Sequence, residues 1–492
     1  MGVIQKQGIQ TSVLSYLGVA LGYINVVLLF PKIFLPEEFG LTRVLVAVVG
    51  IAARFALVGT SNSVIRFFPK FKDKSKTAQG LLKLTLQTIL VGLLVVVLAL
   101  IVGKPWVVEH YQEKSNLFVQ FYQLLFPFLV FEVVFQFITS YLRAMYHTVI
   151  SIFYREVFLR LCSTFLIGCF YLGWLDFNQF MLLFVGQYGL MMVGLLVFLV
   201  SKVKPKKHSG SVSLPKAERS EVVKYGVLTF LSGVGGVLAV NIDVIMIGSM
   251  VGLDQIAFYT VAVYIVAVIR IPRNALSNIA MPVVAEAWKK EDMSEIEAIY
   301  SKTSINQLVI GVLLFVGIWA NQHNLFQLLP AEYESGKWVL FYVGLARVIE
   351  VSFGIGSGIV TLSKWYKVDV YANVVFLAVA IATNFIFIPI YGIEGAAIAT
   401  GISLLVLNLI RYVFLKIKWG LNPFGWKSLA TVLLGLSCYF ISLLLSVQAN
   451  FVIDICLRSG IILLAFVPIM LLLNLSEDLN KLLRSFLPFS KD

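Results

Sequence analysis

Hydrophobic residues run in long blocks along this chain, neither alternating as in strands nor confined to one stripe as in soluble helices. Leu81 to Val102 is about twenty mostly apolar residues carrying one Lys, long enough as a helix to cross a hydrocarbon core about 30 Å thick. The same kind of run recurs from one end of the chain to the other. The pattern predicts an all-α polytopic membrane protein of about fourteen transmembrane helices, near 9–30, 41–62, 81–102, 118–140, 157–175, 179–200, 223–248, 256–280, 303–320, 338–362, 369–389, 395–415, 428–447 and 455–474. The first run is longer than the core of a secretory signal and no A-x-A-like site follows it, so it is expected to remain as a helix. Lys6 stands where a myristoylation signal needs Ser or Thr, which argues against a lipid anchor.

Composition agrees with the pattern. Of 492 residues 59% are hydrophobic and 13% are charged, about half the charge expected of a soluble globular chain. Cys162, Cys169, Cys438 and Cys456 lie in or beside apolar runs without metal-ligand spacing, and His110, His147, His208 and His323 are scattered. No catalytic or metal site is expected from them. The formal charge of +13 would suggest nucleic acid in a soluble protein, but here its distribution decides. One set of alternating connections carries Lys6, Arg66 to Lys76, Arg143 and Arg155, Lys202 to Lys224, Arg270 to Lys302, Lys364 and Lys367, Arg411 to Lys427, and Lys481 to Lys491. The other carries only Lys32, Lys104, Lys114 and Lys337, with Arg458 at the start of the last span. By the positive-inside rule the basic connections and both termini are expected in the cytoplasm, so the cations orient helices and meet lipid, and no nucleic-acid partner is expected.

The chain repeats itself. A shift of 218 positions lays the first span on the seventh, matching Gly8 with Gly226, Thr11 with Thr229, Gly18 with Gly236 and Asn25 with Asp243. A shift of 216 lays Arg54 on Arg270, Ser61 on Ser277 and Asn62 on Asn278. Copies six spans apart insert with the same orientation, which predicts two lobes related by an axis along the membrane normal. The expected organisation is an N-lobe at 1–200, a basic cytoplasmic linker at 201–222, a C-lobe at 223–415, and two further helices with a tail at 416–492.

A charge inside a bilayer costs about 2.5–3.5 kcal/mol on insertion scales, so each one should face a partner or a wet cavity. Arg43, Ala47, Gly50, Arg54 and Ser61 fall on one stripe of the second span, and Tyr259, Arg270, Asn274 and Ser277 on one stripe of the eighth. Arg54 and Arg270 have two readings: a guanidinium in a wet vestibule that binds phosphate bidentately, or a cation that pairs with a carboxylate such as Asp243 or snorkels to the interface. Arg43, Arg347, Asn25, Tyr259 and Asn274 complete the substrate-binding candidates. Asp243, Glu350 and Glu132 are candidates for a coupling sodium ion or proton, the one cofactor-like group expected. Arg347 and Glu350 are spaced for an intrahelical pair, as are Glu156 and Arg160. Gly354-Ile355-Gly356-Ser357-Gly358 follows no strand, so it reads as close packing or a bend rather than a nucleotide loop.

Ser63-Val64-Ile65-Arg66-Phe67-Phe68, Asn241-Ile242-Asp243, Tyr259-Thr260-Val261-Ala262 and Pro389-Ile390-Tyr391-Gly392-Ile393-Glu394-Gly395-Ala396-Ala397 resemble the polysaccharide-flippase branch of the multidrug, oligosaccharidyl-lipid and polysaccharide exporter superfamily. The resemblance spans nearly the whole chain. It implies two six-helix lobes that open alternately to either side, plus the two extra helices. It also implies undecaprenyl-pyrophosphate-linked oligosaccharide as cargo in a bacterial inner membrane, with membrane lipids and the polymerase and glycosyltransferases of the same pathway as partners. Two rivals stand beside it. An ion-coupled exporter of cationic drugs would want an acidic cavity, whereas these stripes hold more Arg than carboxylate. A membrane glycan polymerase or ligase would want a sizeable outer domain, and the connections near 103–117 and 321–337 are too short to fold one.

Overall fold

A computed structural model describes residues 3–71, 75–202, 214–446 and 450–486. Half of the expected basic linker, residues 203–213, therefore lies outside the described residues. The described chain is helical, with no strand among those residues, as a bilayer requires when each span must satisfy its own backbone. Among them, ten helices are long and apolar enough to cross a membrane, or eleven if the bent pair Ala331–Ser352 and Gly356–Leu362 is one span. The protein is a multi-pass membrane protein. The difference from fourteen is local: the expected fifth span forms the 13-residue helix Leu159–Tyr171, entered through a π-helical turn at Phe153–Phe158, the seventh is represented by the short apolar stretch Asn241–Met250, the tenth is the bent pair, and the eleventh and twelfth run together in Lys367–Trp419. The chain forms two compact units, Met1–Ala257 and Phe258–Asp492.

The first unit contains α1 (Val3–Tyr23), α2 (Pro36–Leu57), α3 (Thr60–Phe71), α4 (Ser75–Tyr111), α5 (Leu125–Ala144), α6 (Leu159–Tyr171), α7 (Phe177–Lys202) and α8 (Lys216–Met250). Its axis is α2, buried along most of its length and packed by α4, α5 and α8. Pro36 opens α2 at the position where a missing N–H costs nothing, and the Glu38 carboxylate accepts the Leu35 N–H at 3.0 Å. The helix stops where Val58 and Gly59 turn left-handed, at φ 44° and 71°. Ser61 consequently belongs to α3 and leaves the stripe of Arg43 and Arg54. At one end of the unit Phe30 stacks on Phe39 at 4.8 Å and Phe34 on Phe170 at 4.4 Å, locking the segment that follows α1 to α2 and α6. In contrast, α4 turns Leu90, Val95 and Val102 outward; an apolar face of that size is stable only against lipid.

The division between the units falls within α9 (Leu253–Val266), and the second unit further contains α10 (Ile271–Lys290), α11 (Met293–Ala320), α12 (Lys337–Ser352), α13 (Gly356–Leu362), α14 (Lys367–Trp419), α15 (Trp426–Leu443), α16 (Phe451–Leu472) and α17 (Glu477–Phe486). The long α14 is two helices in one: Gly392 has φ 57° and ψ −132°, and a Cβ on Gly395 would lie 2.1 Å from the Phe387 carbonyl oxygen. In a straight helix residues eight apart stand about 12 Å apart along the axis, so the chain folds sharply at the Pro389 to Ala397 motif. The glycine run between α12 and α13 makes a 49° bend, with Gly354 at φ 53° and Gly356 set against the Tyr300 ring. It packs and bends, as its context in an apolar helix implied. On α16, Arg458 is buried, donating to Asp454 at 2.6 Å and to the Ser442 and Leu445 carbonyls at 2.9 and 3.2 Å. The last helix, α17, is latched to α11: Asn306 donates to Asp478 at 2.9 Å and accepts from Ser476 at 2.5 Å.

Candidate functional site

Each unit buries one glutamate and surrounds it with arginines. In the first unit this is Glu132 on α5, 3% exposed. Gln136, one turn further along, donates to one oxygen at 2.7 Å, and Arg155 donates to the other at 2.7 Å. Arg155 reaches the site from the π-helical turn Phe153–Phe158; the wider turn changes the direction in which side chains leave the helix. Arg54, in the last turn of α2, is exposed and lies in the electrostatic neighbourhood of Glu132, Arg143 and Arg155. Among the described residues it makes no ion pair.

In the second unit the carboxylate is Glu350 on α12, 5% exposed, and three guanidiniums converge on it. Arg347 pairs with one oxygen at 2.9 Å. Arg273, in the first turn of α10, donates to the other, and Arg270 stands 3.5 Å from that same oxygen. Arg270 ends a 3-10 turn, Ala267–Arg270, whose switch back to α-helix is marked by Pro272. Nearby, Arg411 donates to Asp369 at 2.7 Å within the folded α14, close enough to act electrostatically on Glu350 and Arg273. Four cations thus share two carboxylates. The buried Nε of Arg270 has no acceptor. One carboxylate has too few lone pairs and too little charge for three guanidiniums, so the cluster keeps a positive field and unused donors, the combination that binds a phosphate oxyanion.

The repeat accounts for the likeness. Glu132 and Glu350 are 218 positions apart, the spacing that relates the first and seventh spans, and Arg54 and Arg270 are 216 apart. Both glutamates were among the coupling-ion candidates, but their relation to each other was missed, and with it the reason the arginines sit where they do. Arg155, Arg273 and the Arg411–Asp369 pair were not among the candidates. Arg273 was detectable, being three residues beyond Arg270 on a helix; Arg155 was hidden because a π turn departs from the regular spacing.

The remaining candidates lie elsewhere within their units. Asn25 is buried, donating to the Arg160 carbonyl at 2.8 Å and accepting from Thr164 at 2.7 Å, so both ends of its amide are used to hold α6. Arg43 lies over the Phe30 and Phe39 rings at 5.4 and 5.3 Å. Asp243 and Tyr259 are buried and engaged with other groups. Asn274 is exposed beside Arg273. The Arg347–Glu350 and Glu156–Arg160 pairs form as their spacing implied, the latter at 2.8 Å.

The chain is thus an all-helical, multi-pass membrane protein with arginine clusters beside buried glutamates. A model of the polysaccharide biosynthesis protein family matches residues 5–288, more than half of the chain, and the chain belongs to that family. The chain is 22% identical over 235 residues to the probable low-salt glycan biosynthesis flippase Agl15 of Haloferax volcanii, covering 46% of this chain and 50% of that protein. It is 24% identical over 192 residues to the capsular polysaccharide biosynthesis protein CapF of Staphylococcus aureus, covering 38% and 48%. The chain spans about half the length of the curated relatives it matches. Among solved structures, the lipid II flippase MurJ in an inward closed conformation shares its fold, with TM-score 0.73 and 16% identity over 94% of this chain and 98% of that one.

Proposed function

We propose that this protein flips a lipid-linked polysaccharide precursor across the membrane by alternating access, and that it is a transporter rather than an enzyme. The observation that carries this reading is the convergence of Arg270, Arg273 and Arg347 on the single carboxylate of Glu350, inside the membrane bundle of a polysaccharide biosynthesis family member. Such a cluster suits a pyrophosphate far better than a cationic drug. The relatives named as a glycan biosynthesis flippase and a capsular polysaccharide biosynthesis protein support the glycan part of the reading. In its finer form the cargo is an undecaprenyl-pyrophosphate-linked oligosaccharide. Arg54 and Arg270, each within its own unit, are the candidate phosphate-binding residues, in the inner membrane of a bacterium, with both termini cytoplasmic and the lobes organised as six, six and two helices. Asp243, Glu350 and Glu132 are the candidate positions for a coupling sodium ion or proton.

The test is flipping of a fluorescent polyprenyl-pyrophosphate-linked oligosaccharide in vesicles containing the purified protein. Arg54→Ala with Arg270→Ala is expected to reduce flipping at least about tenfold, the effect of losing charge-assisted hydrogen bonds to a phosphate, with an unchanged thermal unfolding curve. Flipping at the wild-type rate by that double variant would remove the assignment. Uptake of cationic drugs with no glycan flipping would replace it with drug export.

A further inference from the structure

The second unit contains a cavity shaped like an amphiphile, separate from the arginine cluster. A polar pocket of about 300 Å³ is lined by Lys302, Asn306, Asn422, Lys427, Glu477 and Asp478, at the junction of α11, the connection before α15, and the start of α17. An apolar groove of about 720 Å³ runs between α11, α12 and α15, bounded by residues such as Val312, Phe341, Leu345, Val432 and Leu436. Phe424, Gly425 and Ser428 line both, so the polar pocket and the apolar groove are immediate neighbours. Each volume falls in the usual range for small-molecule sites, about 300–1,000 Å³. Trp426, which lines the polar pocket, suits the interfacial level of a bilayer.

The charges in the polar pocket decide what fits. Lys302 and Lys427 supply two positive groups, and Glu477 and Asp478 supply two negative ones. Lys427 and Glu477 stand 3.9 Å apart, a long and mostly solvated contact that leaves both free to bind something else. A purely anionic headgroup would meet the carboxylates, and a purely cationic one would meet the lysines. A headgroup carrying both a phosphate and a primary ammonium satisfies all four.

We propose that this composite cavity is a binding site for phosphatidylethanolamine, with Lys302 and Lys427 on the phosphate, Glu477 and Asp478 on the ammonium, and an acyl chain in the groove between α11, α12 and α15. The site is independent of the transport reading, because none of its residues belongs to the Glu350 cluster. The ammonium is the discriminating group. It donates hydrogen bonds to carboxylates, which the trimethylammonium of phosphatidylcholine has no N–H to do, and which phosphatidylglycerol lacks altogether.

The full-length protein in detergent is mixed with equal amounts of phosphatidylethanolamine, phosphatidylcholine and phosphatidylglycerol, and retained lipid is counted by native mass spectrometry. The wild type is expected to retain phosphatidylethanolamine over either competitor by roughly tenfold, the worth of one charge-assisted hydrogen bond. Lys302→Ala with Lys427→Ala should weaken retention of all three, and Ser428→Trp, which fills the junction, should abolish it. Glu477→Gln should erase the preference for ethanolamine over choline. That carboxylate is exposed and takes no part in the Asn306 latch, so this variant is expected to fold even if Asp478→Asn does not. Equal retention of ethanolamine and choline lipids by the wild type, a preference for phosphatidylglycerol, or an unchanged preference in Glu477→Gln would each overturn the proposal.

Discussion

The glutamate clusters of the two units are built at equivalent positions of one repeat, yet they handle charge differently. Around Glu132 the carboxylate is shared by one arginine and one neutral amide, and Arg54 stays out of the pairing. Around Glu350 three arginines crowd one carboxylate, with Arg411 and Asp369 close behind. In the first unit both oxygens of the glutamate are taken by one cation and one neutral amide, while its counterpart in the second restrains three cations directly. The repeat supplies the scaffold twice; the arginines added to the second copy make the two sites unequal.

The contrast is exposed to measurement by thermal unfolding of the purified protein in detergent. Glu350→Ala should do the most damage, since it strips the counter-charge from three guanidiniums at once; a loss of about 3–5 kcal/mol is expected for an uncompensated buried charge, seen as a large drop in Tm and poor recovery of folded protein. Glu132→Ala should cost less, about 1–3 kcal/mol, because the side chain of Arg155 is 42% exposed and regains water when its partner is removed. If Glu132→Ala proves the more damaging of the two, the asymmetry argued here is wrong. Arg270→Ala should change stability by less than about 1 kcal/mol, because Glu350 keeps two closer partners. Arg54→Ala should have the smallest effect, within about 0.5 kcal/mol, and a larger loss would mean that Arg54 is held by a contact other than the electrostatic ones described.

The helical class and the approximate positions of most spans were legible in the sequence, because long apolar blocks and intramembrane charges are costly to misplace, whereas the expected lobe boundary at 201–222 differs from the division into units at 257/258. The break at Val58 and Gly59 was not, since valine gives no hint of a left-handed turn, and Ser61 was assigned to the wrong face for that reason. At the site, Arg270, Arg347 and Glu350 were all named, but as separate candidates. What joined them was the approach of α10 to α12, which no spacing within one helix encodes. Asn25 shows the opposite error in kind: a polar residue on a polar stripe looked outward from sequence, whereas the structure gives both ends of its amide to α6. The Pro389 to Ala397 motif was noticed as a family signature, and its physical reason emerged only with the backbone at Gly392 and the close approach of Gly395 to Phe387.

The partnership of Glu132 with Arg155 has a consequence for biogenesis. On α16, Asp454 and Arg458 lie one turn apart and neutralise each other within a single span, and Arg347 does the same for Glu350 on α12; each such helix can leave the translocation machinery carrying its own counter-ion. Glu132 has no cation on its own helix within reach. Its counter-ion arrives 23 residues later, on the next segment to be synthesised. That arrangement favours release of α5 into lipid together with the following span as a helical hairpin, making the ion pair a checkpoint in insertion as well as a contact in the finished fold.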